Sequence, residues 1–115
     1  MTSVKIKMVQ KASTNKIYAG SHWSHRKLVK DVYYWEVLAN KKNFTKPEKL
    51  PVTLHFYFTF KSRALDASNC GYMAKCLEDA MKKIGVIPDD SPKYVEGVCL
   101  YSKKGDCDSI IIEYN

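Results

Sequence analysis

"PVTLHFYFTFKSRALDASNCGYMAKCLEDAMKKIG", residues 51–85, changes its hydrophobic period halfway along. Val52, Leu54, Phe56 and Phe58 alternate with Thr53, His55, Tyr57 and Thr59. That period of two predicts a strand with one face buried. After Asn69 the apolar residues Met73, Leu77, Ala80, Met81 and Ile84 fall on one helical stripe, and Gly85 is placed to stop it. The pattern predicts a helix over 69–84 that starts in "DASN", with Asp66 or Ser68 as its N-cap.

Outward from this unit, "VKIKMVQ" puts Val4, Ile6 and Met8 on one face of a first strand. "KASTNKIYAGSHW", residues 11–23, has turn formers and no period, and reads as a long loop. "SHRKLVKDVYYWEVLAN" spaces Leu28, Val32, Trp35 and Leu38 as a helical stripe, with Ser24 as N-cap and Asn40 near the end. Tyr33, Tyr34 and Trp35 are expected to pack in a core or a dimer interface. After "VIPDDSP" come two strands, "KYVEGVCLYS" and "DSIIIEYN", joined by "KKGDC", which carries a glycine hairpin signal. The expected order is β-α-β-α-β-β: an α/β (α+β) fold with a small mixed sheet of about four strands and two main helices sharing one core.

The chain has 115 residues, which fits one domain over 1–115. An apolar share of 45% with 27% charged residues fits a globular protein. No apolar run approaches the ~20 residues of a spanning helix, so no membrane partner is expected. The opening "MTSVKIKMVQ" alternates and does not form a signal-peptide core, so a cytoplasmic location is expected. Cys70, Cys76, Cys99 and Cys107 form no CxxC pair and no zinc spacing. Cys99 and Cys107 could face each other across the hairpin, but free packing thiols are expected in a reducing compartment. His22 and His25, three apart, lack a third ligand nearby.

The net charge of +7 is uneven, with +8 in residues 1–50 and −1 in residues 51–115. A basic half beside clustered acids suggests a polyanion surface next to a site that uses carboxylates. The acids gather in "DASN" and in "PDDSP", Pro88 to Pro92. A helix over 69–84 spans about 24 Å, and the residues from Gly85 to Asp90 can return at most about 20 Å. A reversal at Gly85 can therefore bring Asp89 or Asp90 towards Asp66. Such carboxylates suit Mg²⁺ or Mn²⁺, which take hard oxygen ligands, waters and substrate phosphates. With basic side chains holding a DNA backbone, this is the equipment of metal-assisted phosphodiester cleavage. Lys75 is placed to reach a phosphate or to pair with Asp79. Glu78 and Asp79 read as surface or salt-bridge residues. Lys16, His22, His25, Arg26 and Lys27 on the amino-terminal loop and helix start, and Lys61 and Arg63 beside Asp66, are candidate DNA contacts.

The run "LDASNCGYMAKCLEDAMKKIGVIPDDSPKYVEGV" resembles the signature of the RusA family of Holliday-junction resolvases. The family pattern, Asp-x-Asp-Asn, Lys, Asp-Ala-Leu, Gly and Asp-Asp in order, falls on Asp66, Ser68 and Asn69, on Lys75, on Asp79 to Met81, on Gly85 and on Asp89–Asp90. "NKIYAGSHWSHRK" and "SIIIEY" resemble the family's early basic loop and last strand, so the likeness spans nearly the whole chain. It implies a homodimer that binds branched DNA, the four-way junction, and nicks it with Mg²⁺ or Mn²⁺. It also implies a phage- or prophage-encoded protein acting in the cytoplasm of a bacterial host, in DNA recombination and repair. By position, Asp66 and Asp90 match metal-binding and catalytic aspartates and Lys75 the functional lysine, with Ser68, Asn69 and Asp89 in support. Ser68 stands where the family has its second aspartate, and the interval from Asn69 to Lys75 is longer. A hydroxyl brings no charge, so the second expectation is a junction-binding protein on the same scaffold that cuts weakly or not at all.

Overall fold

The computed structural model describes residues 1–20 and 22–115. Four strands, β1 (Thr2–Lys7), β2 (Val52–Phe60), β3 (Val95–Lys104) and β4 (Ser109–Tyr114), form one mixed sheet in the order β1-β4-β2-β3. β4 runs antiparallel to β1 and β2, and β2 runs parallel to β3. A parallel neighbour needs a crossover, and α3 (Gly71–Lys83) supplies it between β2 and β3. The other long helix, α2 (Trp23–Ala39), packs beside α3. The mixed α+β architecture is thus the one that the periodicity predicts.

Along β2 every second residue from Val52 to Phe60 is buried. Phe56 and Phe58 meet Met73, Leu77 and Met81 of α3 and Tyr33 of α2 in one apolar cluster. Burying each such side chain contributes roughly 1.5–3 kcal/mol. On the opposite face of the sheet His55, Tyr57 and Tyr101 stack, with the two tyrosine rings 4.5 Å apart. α3 ends as Gly85 foretells. Gly85, at φ 85°, donates its N–H to Lys82 O, while Val86 donates to Met81 O. This paired closure satisfies the last carbonyls and needs a residue that tolerates positive φ.

Four local expectations change. Residues 11–23 contain a short helix, α1 (Thr14–Tyr18), capped by Ser13, whose Oγ accepts from Lys16 N. It buries only Ile17, so five residues carry no visible period. α2 begins at Trp23, and its cap is His22, whose Nδ1 accepts from Ser24 N at 3.2 Å; Ser24 is not the cap. The buried stripe of α2 is Val29, Tyr33 and Val37, leaving Leu28 and Trp35 exposed. Because Leu28 and Val29 are adjacent, apolar spacing alone fits either face, and Tyr33, whose hydroxyl donates to Gln10 O, selects the inner one. A 3-10 turn, Ala67–Cys70, precedes α3, and neither Asp66 nor Ser68 makes a side-chain cap.

The fourth change concerns "KKGDC". β3 and β4 do not form a hairpin, because β2 lies between them. The connection passes over the end of β2: Gly105 donates to Phe60 O, and Lys61 N donates to Asp108 Oδ1, each at 2.8 Å. Cys99 therefore lies opposite His55 on β2, and all four cysteines are free thiols. Burial pushes the Cys70 and Cys76 thiols up to about 11. A Cβ on Gly105 would lie 2.5 Å from Thr59 Cγ2, so the glycine serves a close strand crossing. Gly105→Ala is expected to destabilise the fold by about 1–3 kcal/mol, the usual cost of overpacking. A urea titration checks this, and an unchanged midpoint would mean the crossing loop yields freely. Among the described residues no helix is long and apolar enough to cross a membrane.

Candidate active site

α3 brings Lys75, Glu78, Asp79 and Lys82 to one region of its surface, since residues three and four apart lie side by side on a helix. After Gly85 the chain folds back, anchored by the buried Val86 and Ile87. It returns alongside α3 as far as Lys75, a distance of about 14 Å at 1.5 Å per residue. There the Lys75 ammonium donates to Asp90 Oδ2 at 2.7 Å, with Asp79 at 3.4 Å and Glu78 at 3.6 Å. Lys82 lies 3.8 Å from Asp89 and 3.9 Å from Asp90, and Lys30 of α2 lies 3.7 Å from Asp79.

The charges of this group are unequal in environment. The hydrogen bond from Lys75 holds the Asp90 carboxyl below the usual carboxylate range, and the same bond raises Lys75. Glu78 is 8% exposed, and burial pushes its carboxyl above the ordinary value despite Lys75 nearby. Ion pairs at such exposed lysines contribute ~0–1 kcal/mol each. Their effect is positional: the network fixes Asp90 and Lys75 against each other.

Asp66 faces a different neighbourhood. It lines a cleft with Lys11, Asn15, Lys16, Arg63 and Asn69. Leu65 is pinned to β3 through a Ser102 hydroxyl that donates to its carbonyl, and Lys11 Nζ donates to Arg63 O. Asn69 ties the turn to α1: its Oδ1 accepts from Asn15 N and its carbonyl from Thr14 Oγ1, both at 3.1 Å. Thr14 Oγ1 in turn accepts from Tyr72 N at 3.0 Å, which locks α1 onto the start of α3. Asp66 is exposed, and its carboxylate has no hydrogen-bond or ion-pair partner among the described residues. Ser68 is also exposed, with its hydroxyl unpartnered among the described residues.

The folded chain thus joins Lys75 to Asp90 and sets Asp66, Asn69, Lys16 and Arg63 around one cleft. Among the described residues no hydrogen bond or ion pair links Asp66 to Asp90. Of the candidate DNA contacts, His22, His25 and Lys27 are exposed, and Lys27 pairs with Asp31 at 2.9 Å. Arg26 is half-buried, with Nε out of solvent and lacking an acceptor among the described residues. Lys61 and Arg63 are exposed beyond the end of β2.

Two participants were not singled out by sequence. Glu78, read as a surface or salt-bridge residue, does pair with Lys75 but is buried, beside a small pocket that Val98 and Leu100 of β3 also line. Lys11 enters the Asp66 cleft from the first connection, and no local period marks it. The donor set fits a hard divalent cation in chemistry, since every candidate ligand is a carboxylate oxygen and Asp66 has no partner among the described residues. Among the described residues no three His, Cys, Asp or Glu side chains are arranged to hold an ion. The point between Glu78, Asp79 and Asp90 is held by the Lys75 ammonium. Comparison with known protein families, with curated proteins and with solved structures finds no match to this chain.

Proposed function

We propose that the chain is a divalent-metal-dependent, structure-selective DNA endonuclease of the RusA type that resolves four-way junctions as a homodimer. The observation that carries this reading is the meeting of Lys75 and Asp90 at 2.7 Å, two residues drawn from separate clusters of the signature. A second support is the balance of +8 in the first 50 residues, which suits a phosphate backbone.

Asp66 and Asp90 would hold the Mg²⁺ or Mn²⁺ ion, which supplies an oriented water and offsets charge on the leaving oxygen. The chain's own residues do the rest. Lys16, Arg63 and Lys61 bind backbone phosphates near Asp66 and set the strand in place. Lys75 is a flexible cation already restrained by Asp90, placed to neutralise charge on the scissile phosphate. Asn69 keeps the Asp66 turn fixed on α1, and Asp89 restrains Lys82. The location that goes with this activity is the cytoplasm of a bacterial host.

A synthetic four-way junction and a linear duplex of the same sequence, each incubated with protein and Mg²⁺ or Mn²⁺, test the reading. Paired nicks in the junction alone, lost with chelator, are expected. Intact junctions across a metal titration would refute cleavage.

Ser68 favours a second reading, a junction-binding protein that does not cut. Its hydroxyl adds no charge where the family pattern has a carboxylate, and among the described residues Asp66 is the one acid lining its cleft. That reading expects salt-sensitive junction binding with no nicking, and metal-dependent nicking gained by Ser68→Asp.

A further inference from the structure

We infer that Tyr18 and Trp23 form a stacking platform for an unpaired base at the branch point of a DNA junction. The inference rests on the nucleic-acid reading above. Both side chains are large and aromatic, yet Tyr18 is 66% and Trp23 63% exposed. They lie on either side of Gly20, which has a φ of 118°.

Each ring has an aromatic neighbour. Tyr18 meets Tyr72 edge-on, with ring centroids 6.1 Å apart, and Tyr72 donates its hydroxyl to Arg26 O at 2.9 Å. Trp23 lies 5.6 Å from the His22 ring, and His22 is itself held by its cap to Ser24 N. A rigid aromatic surface loses little freedom when a flat ligand covers it, which favours stacking.

The surroundings select the ligand. His22, His25, Arg26 and Lys27 crowd the start of α2, and its first turn holds no acid. Arg26 keeps a donor out of solvent without an acceptor among the described residues. Exposed aromatic rings within a cationic surface are the equipment for single-stranded nucleic acid: cations follow the backbone and rings take the bases. A continuous duplex presents no free base face, whereas a branch point offers bases already partly unstacked, at lower cost. Trp35, equally exposed, is followed by the acidic Glu36, and its ring neighbour Tyr34 is already taken by the Lys83 ammonium at 5.1 Å.

Binding without metal, to a four-way junction carrying 2-aminopurine beside the crossover and to a linear duplex, tests the platform. Trp23→Ala and Tyr18→Ala are each expected to weaken junction binding roughly 5- to 150-fold, the range for one lost base stack. Duplex affinity should stay as in the wild type, and Trp23→Phe should retain most junction affinity. Lys27→Ala should weaken both substrates alike, as a phosphate contact does. In a Trp35→Phe background Trp23 is the sole tryptophan, and its emission should be quenched by junction and not by duplex. Equal effects of Trp23→Ala on junction and duplex, or none on either, would overturn the platform while leaving junction binding intact. Failure of the wild type to bind either DNA would overturn the nucleic-acid reading and the platform with it.

Discussion

Lys75→Met is expected to lower junction cleavage by about 10²–10³-fold, the loss typical of removing one preorganised charge that stabilises a transition state. Folding should barely change. The Lys75 side chain is 53% exposed, so its pairs with Glu78, Asp79 and Asp90 are screened by solvent. The lysine is therefore expensive to lose for chemistry and cheap to lose for stability, and this contrast separates its two possible roles. Lys75→Arg should rescue only part of the rate, because a planar fork does not reproduce a compact ammonium between three carboxylates. Single-turnover cleavage beside a thermal melt checks the pair. Unchanged cleavage, or loss of the folded state, would assign Lys75 a purely structural place.

Glu78→Gln is expected to move stability and activity in opposite directions. Burial raises the Glu78 carboxyl above its ordinary 4.5, so the folded state holds that proton more tightly than the unfolded chain. Stability contributed by this group is complete below about 4.5 and falls as pH rises through the folded value. Asp90 has the opposite sign: lowered from 3.8, it contributes stability above that value, lost as pH falls through its folded pKa. The two windows do not overlap, so they can be read apart in one pH series. Glu78→Gln should match the wild type below the window and melt at higher temperature above it. Cleavage should drop about 10- to 100-fold, as when a group that orients an essential residue is removed. Gln lets Lys75 settle wholly on Asp90 and Asp79. A buried carboxylate kept at a cost in stability is a mark of function. Equal melting curves at all pH values, or a more stable variant with full activity, would contradict this.

The elements that carry strong periods are legible in the sequence. Phe56 and Phe58 on β2, and Met73, Leu77 and Met81 on α3, announce their buried faces because the alternation runs the length of the strand and the stripe runs over two turns of the helix. Gly85 announces the end of α3 because positive φ has few occupants. The β3–β4 connection was misread because a glycine that closes a hairpin and a glycine that slides past Thr59 look identical in a sequence. Strand order is a property of long-range pairing, which no short window contains. The same limit applies to the site. Lys75 and Asp90 are both legible as site residues, but chain length points the return from Gly85 towards Asp66, whereas in the fold Asp90 meets Lys75. The burial of Glu78 has no mark in the local period of α3, and the cleft around Asp66 depends on α1 bolting down through Thr14 and Asn69. Those contacts are tertiary, and only folding reveals them.

The central claim, a metal-dependent cut in branched DNA made by these carboxylates, is tested most directly by one comparison. Wild type, Asp66→Asn and Asp90→Asn are incubated with a four-way junction over a Mg²⁺ and Mn²⁺ titration, and nicked product is quantified. Asp66 is exposed and Asp90 half-buried, and Asn keeps the size of each side chain, so the variants should fold and still bind the junction. The account predicts paired nicks by the wild type and none by either variant at any metal concentration. Equal cutting by all three proteins would contradict it.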